Sequence, residues 1–384
     1  MKSSTRKILL IVLGILILGF IIHQFSGFSH LLGDFSGAKL LETVRASNKL
    51  LLLASLLAIY VCYALRALRW QVFQKNLGRG PFWTIYKLTL AGFSAIFLLG
   101  RAGEPVRPML LSRKEKLPMA DMFGLYFLER LFDTASTAVI AGLGLLLFQS
   151  HAQHAASVGA VSSETARTTG ALTTAARTTG TLLFVGVMGA VAVLVYLRLH
   201  GTAVLERRLA GWHDAKGWRS KLAGIILGFA RGAQTIRTWG DLALSVLYSA
   251  LHWVGVALIY VWVSHALGGK LLTIGLGDAL LILAFTMVGS AVQLPGVGGG
   301  SQLACFLAYT TIFGVEKEPA AAAAILVWLI TFAGVSLAGV PLLIHEGMSL
   351  GELRRIARHD EEIVVEAPDS AEAQAPATTG EPAE

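Results

Sequence analysis

Residues 84–99, TIYKLTLAGFSAIFLL, form an apolar run that stops at Gly100-Arg101-Ala102-Gly103-Glu104-Pro105-Val106-Arg107-Pro108. Glu104 and Arg107 each precede a proline, which biases both away from helical backbone, and the two rings remove two donors. The backbone has to open here. Arg101, Arg107, Arg113, Lys114 and Lys116 follow the run. Had the run crossed a bilayer completely, these charges would lie outside, against the preference of Lys and Arg for cytoplasmic loops. The stretch therefore predicts a re-entrant helix pair that returns to the side it left. Irregular backbone at that depth is tolerated only where it is buried in protein or lines a wet cavity, because lipid supplies no hydrogen bonds.

The rest of the chain agrees that a membrane is the solvent. Of 384 residues, 54% are hydrophobic and 15% charged, and the mean hydropathy is +0.64, which excludes a soluble fold. Apolar runs at 8–22, 50–67, 120–148, 181–197, 242–267, 274–292 and 320–344 add to the one at 84–99. Together they predict an all-α polytopic bundle of about eight spanning elements with two re-entrant or broken helix pairs. Lys2, Arg6 and Lys7 precede the first run and keep the N-terminus cytoplasmic; Arg66, Arg69, Lys75 and Arg79 read as a second cytoplasmic mark, and 198–240 as the strongest.

The predicted organisation is a membrane domain over 1–349 and a disordered cytoplasmic tail over 350–384, where residues 351–384 hold three arginines and nine acids. The loop between 148 and 181 contains Ala-Arg-Thr-Thr-Gly twice, at 166–170 and 176–180, with too few large apolar groups to build a core. The net charge of +8 needs no nucleic acid to explain it, since basic loops on anionic headgroups account for it. Cys62 and Cys305 lie in apolar runs and offer neither a disulfide framework nor a metal spacing. No cofactor motif is present.

Segments 8–148 and 181–345 share one order: a span, an amphipathic stretch, a second span, a broken pair and a long closing span. Gly100 and Pro295 are 195 positions apart, and the closing spans are offset by a similar amount. The first half starts inside and the second outside, so the halves are expected to be inverted copies, with a transport site near their interface.

Charge inside the spans marks the candidate site. Arg101 and Arg107 can hold a phosphate in two-pronged fashion, with Glu104 orienting one of them. Glu129, Arg130 and Asp133 share one helix face by their spacing of three and four. Three unpaired charges at mid-bilayer would cost roughly 7–10 kcal/mol on the insertion scale, so they must face protein or water. Either they bind substrate or they form an ion pair that locks this helix to the Arg101 loop. The second interruption, Pro295-Gly296-Val297-Gly298-Gly299-Gly300-Ser301-Gln302, fails as a dinucleotide fingerprint because its sixth position is Ser301 and a long apolar run precedes it. Gly296 and Gly298 allow close backbone approach, and a helix restarting near Ser301 and Gln302 would aim its amides into the cavity.

On Gly100-Arg101-Ala102-Gly103-Glu104 with Arg107-Pro108, Glu129-Arg130 with Asp133, and the Pro295-Gly296 turn, the chain resembles the transmembrane, flippase-type domain of the lysylphosphatidylglycerol synthase family of bacterial inner-membrane proteins. The resemblance covers roughly residues 5 to 348. It implies movement of an anionic or aminoacylated phospholipid between leaflets, with Arg101, Glu104, Arg107, Glu129, Arg130 and Asp133 as cavity residues; charge placement puts both termini in the cytoplasm. A polyprenyl-phosphate lipid is the alternative cargo, and a second copy or an envelope-biosynthesis enzyme the alternative partner. Relatives that synthesise the lipid carry a large soluble domain where this chain has a 34-residue tail, so synthesis is not expected of it. Gln302 replaces an acid common in the family. A competing function is an intramembrane enzyme acting on lipid-linked headgroups, for which the chain shows no His-Glu-x-x-His zinc pattern.

Overall fold

A computed structural model describes residues 37–78, 80–157, 238–290, 293–294 and 298–347, with positions 185, 189 and 207. The expected spans at 8–22 and 181–197, the Thr-rich loop, the basic segment up to 237, Pro295, Gly296 and the tail lie outside the described residues.

A short helix α1 (Gly37–Ala46) leads into α2 (Lys49–Gln74). Asn48 starts α2: its side-chain oxygen accepts from the amides of Leu50 and Leu51 at 3.0 and 3.3 Å. Leu50, Leu53, Leu57 and Val61 form an exposed stripe at helical spacing, suited to lipid. The opposite stripe is buried and runs Ser55, Ile59, Cys62, Arg66, Arg69, Phe73. This corrects the reading of Arg66 and Arg69 as cytoplasmic marks. They are 6% and 1% exposed, because α2 continues to Gln74 instead of ending near Ala67 and carries both guanidinium groups into the interior.

The re-entrant pair consists of α3 (Phe82–Leu99), a 3₁₀ turn over Gly100–Gly103, and α4 (Val106–Glu115). α3 is long and apolar enough to cross a membrane, yet α4 runs back along it. Gly103 lies against the Ala95 backbone, Gly92 against Arg107, and Gly80 against the Glu115 carboxylate, so the chain returns to the end it left. The break ends before Arg107, which is helical although the proline after it was expected to bias it away from helix. Helix resumes at Val106 and takes Pro108 into its first turn, where a missing N–H forfeits no intrahelical bond. A Cβ on Gly92 would collide with Arg107. Gly92→Val is therefore expected to destabilise by about 1–3 kcal/mol, seen as a lower unfolding midpoint in detergent; Gly142→Val, at a glycine with open space around it, serves as the unchanged control.

The long rod α5 (Met119–Ser157) closes this half. The next described element, α6 (Trp239–Leu267), is started by Thr238, whose hydroxyl accepts from the Asp241 amide at 3.0 Å. A 3₁₀ turn (Gly269–Thr273) leads to α7 (Leu276–Gly289), and the chain then reverses through two paired two-residue strands, β1 (Gln293–Leu294) and β2 (Gly298–Gly299), with Gln293 opposite Gly299. It re-enters helix as α8 (Gly300–Leu307), followed by a π turn over Ala308–Ile312. Gly289 packs on Gly300 and Ala304, and the Lys270 ammonium donates to the Gly314 carbonyl at 2.9 Å, so this segment also returns to its starting level. One rod closes the structure: α9 (Lys317–Trp328), a π turn (Leu329–Ala333) and α10 (Gly334–His345).

α2 and α6 lie antiparallel along their whole length. At one end the Asn48 amide donates to the Ala266 carbonyl at 2.7 Å; at the other Lys75 pairs with Asp241 at 2.9 Å. Helices that hold the same place in the two sequence segments thus point in opposite directions. Two further packings obey the same exchange: α3 against α10, with Gly339 seated on Ser94 and the Leu90 carbonyl, and α7 against α5. The tips of the two hairpins meet, since the Gly100–Gly103 turn and β1 come within 8 Å by their Cα atoms. Four described helices are long and apolar enough to cross a membrane: Lys49–Gln74, Phe82–Leu99, Trp239–Leu267 and Lys317–His345.

Candidate functional site

Three elements deliver charge to one place in the first half. The buried stripe of α2 brings Arg66 and Arg69, the first turn of α4 brings Arg107, and α5 brings Glu129, Arg130 and Asp133. Glu129 is 1% exposed and pairs with three arginines: it accepts from Arg107 Nη1 at 2.5 Å and Arg69 Nη2 at 3.2 Å, and Arg66 Nη2 lies 2.9 Å away. Asp133 takes Arg66 Nη2 at 2.5 Å on one oxygen and Arg69 Nη2 at 2.7 Å on the other. Arg130, three residues before it, lies 3.4 Å away. Both acids are thus stabilised by charge-assisted hydrogen bonds that a lone carboxylate in hydrocarbon would lack.

Aromatic rings wall the cluster. Arg107 lies over Trp70 at 4.4 Å, Arg66 over Phe93 at 4.7 Å, Arg130 over Tyr126 at 5.0 Å and Arg69 over Phe73 at 5.8 Å, so each cation faces the negative side of a ring. α6 has a buried stripe of Asp241, Ser245, Ser249 and His252, of which Ser249 and His252 reach the cluster. Arg69 Nη1 donates to Ser249 Oγ at 2.8 Å, and Arg66 Nη1 lies 3.3 Å from His252 Nε2.

Residues 8–339 match the family described as lysylphosphatidylglycerol synthase TM region. The chain belongs to this family. It is a membrane protein of a family related to lipid modification or transport. It matches no curated protein and no solved structure.

Within this member of the family the sequence-derived residues divide clearly. Arg107, Glu129, Arg130 and Asp133 converge as described. Glu104 was expected to orient either Arg101 or Arg107; Arg107 is held by Glu129, and Glu104 accepts from the Tyr126 hydroxyl. Arg101 stands in the 3₁₀ turn at the hairpin tip, and its side chain lies outside what is described. The ion pairs that tie α5 to the hairpin run through Arg107 on α4 and extend to Arg66 and Arg69 on α2.

The second hairpin is different in kind. Gly298 sits in β2, and Gly296 lies outside the described residues. α8 begins at Gly300, and Gln302 turns its side-chain oxygen back onto the Gly299 amide at 3.0 Å. One of the amides expected to face a cavity is therefore capped by the chain itself. Ser301 and Gln302 are 3% exposed and line a cavity of about 20 Å³, room for one water, together with Tyr260, Thr286, Thr331 and Trp328. Among the described residues Ser301 Oγ has no hydrogen-bond partner there, and no formal charge lines this cavity.

Arg66, Arg69, Ser249 and His252 were missed by sequence reasoning. A signal existed for each pair. Arg66 and Arg69 continue the 3-and-4 spacing of Ile59 and Cys62, and Asp241, Ser245, Ser249 and His252 repeat that spacing along an apolar helix.

Proposed function

We propose that the protein moves an anionic phospholipid between leaflets, its headgroup passing through the arginine cluster between α2, α4 and α5 while the acyl chains stay in lipid. One observation carries this reading. Among the described residues four guanidinium groups meet two carboxylates, and several of their buried donors have no hydrogen-bond partner: Nε of Arg66, Arg69, Arg107 and Arg130, and Nη2 of Arg107 and Arg130. Counting Glu104, which reaches the cluster through Tyr126 beside Arg130, one positive charge is left over among the described residues. A buried donor without a partner forfeits about 1–3 kcal/mol, and a phosphate supplies the missing acceptors and charge together. A purely structural lock would gain by pairing those donors.

Arg130 is the cluster's most exposed member at 34% of its side chain, against 13% for Asp133 and 1–6% for the rest of the ion-paired set. It is the point of entry. In proteoliposomes, Arg130→Ala is expected to slow transfer of a headgroup-labelled phosphatidylglycerol by about tenfold, the size of one hydrogen bond to a charged group, with an unchanged unfolding midpoint. The wild type is expected to transfer this lipid faster than phosphatidylcholine. Equal rates for the two lipids would reject the reading.

The membrane is the bacterial inner membrane on this reading, with the end that carries Lys75, Arg113, Lys114 and Lys116 in the cytoplasm and both termini on that side. The opposite end mixes signs, with Lys39, Glu42, Lys49, Glu316, Lys317 and Glu318. Cys62 and Cys305 are buried, so introduced cysteines report orientation: Lys317→Cys is expected to react with an impermeant maleimide from outside the cell, and Arg113→Cys only after lysis. The reverse pattern would invert the assignment.

A further inference from the structure

We infer that His252 is a positioning residue for the headgroup site, acting through Arg66; this rests on the function proposed above. His252 projects from α6 between two groups of α2. Its Nε2 lies 3.3 Å from Arg66 Nη1 and its Nδ1 lies 3.1 Å from the Cys62 carbonyl oxygen. A guanidinium only donates and a carbonyl only accepts, so the partners fix the tautomer: the proton sits on Nδ1 and donates to Cys62, and the Nε2 lone pair accepts from Arg66.

The consequence is orientational. Arg66 has a different task for each end of its guanidinium: Nη1 goes to His252, Nη2 to Asp133 at 2.5 Å and Glu129 at 2.9 Å, with the plane laid over Phe93. Nε has no hydrogen-bond partner among the described residues. Without an acceptor at the Nε2 position, Nη1 has no partner on α6, and the guanidinium is free to swing both Nη groups onto the two acids. That swing would consume the acceptor capacity that keeps Arg69 and Arg107 in place, and with it the geometry of the donors left open for phosphate. His252 is 4% exposed and is surrounded by Arg66 and Arg69 of α2, Asp133 of α5 and the edge of Trp253. Among the described residues nothing in that shell replaces its lone pair for Arg66 other than the acids themselves.

Two substitutions separate positioning from packing. His252→Gln keeps an acceptor at the reach of Nε2, whereas His252→Leu keeps side-chain bulk without one. In proteoliposomes with labelled phosphatidylglycerol, His252→Gln is expected to transfer within about twofold of wild type. His252→Leu is expected to be about tenfold slower, the loss of one hydrogen bond to a charged group. Unfolding midpoints of the two variants in detergent show whether both assemble; if His252→Leu does not, His252→Phe makes the same comparison. Equal transfer by the accepting and non-accepting variants overturns the inference while leaving the function intact. No transfer by wild type overturns both.

Discussion

Glu129→Gln is expected to destabilise the protein more than any other single change at the cluster. The substitution keeps the shape and removes one charge, and it leaves Arg107 without its carboxylate partner while Arg66 and Arg69 retain only Asp133. Removing one partner of a buried ion pair costs about 3–5 kcal/mol because the remaining charge stays buried and uncompensated. Here three arginines lose a partner together, so the upper end of that range applies. The measurement is the thermal unfolding midpoint in detergent, supported by the monodisperse fraction on gel filtration. A midpoint within a few degrees of wild type would show that the cluster is not a structural keystone. Combining Glu129→Gln with Arg107→Gln should restore part of the loss, since the second change removes the orphaned cation.

Arg107→Gln alone should behave in the opposite way. Glu129 keeps Arg66 and Arg69 within 2.9 and 3.2 Å, so its charge stays compensated and the protein is expected to assemble. Transfer of anionic lipid, however, should fall by at least about a hundredfold, because two unpartnered donors and one charge leave the site at once and each charged hydrogen bond is worth about 1.5–3 kcal/mol. The pair of variants divides stability from transport: one acid serves three arginines, whereas one arginine holds a single acid and offers the rest of its donors inward. Transfer by Arg107→Gln at the wild-type rate would remove Arg107 from the site.

The sequence made the architecture legible wherever an element announced itself by an interruption. Gly100 to Pro108 marks the first reversal and the glycines from 298 to 300 the second, and both fold back as the run lengths and charge placement require. Glu129, Arg130 and Asp133 were visible because charge in an apolar run is costly and their spacing shares a face. Arg66 and Arg69 were misplaced for a physical reason: basic residues following an apolar run look the same whether the helix ends or continues, and only the acids on α5 decide between the two. The partner of Arg107 was hidden similarly. Glu104 is three residues away in sequence, but one helical start later Arg107 points across to α5. His252 and Ser249 carry no charge in that setting and stood out only through the period of the α6 stripe.

The excess of buried guanidinium donors over buried carboxylates is the feature on which the function depends, and retained lipid reports on it most directly. Native mass spectrometry of wild type and Arg107→Gln, each extracted from nanodiscs of equal parts phosphatidylglycerol and phosphatidylcholine, compares what the site holds. The wild type is expected to retain phosphatidylglycerol selectively, and Arg107→Gln to lose that selectivity while remaining folded. Identical lipid retention by the two proteins, or a wild type that carries both lipids equally, would contradict the account.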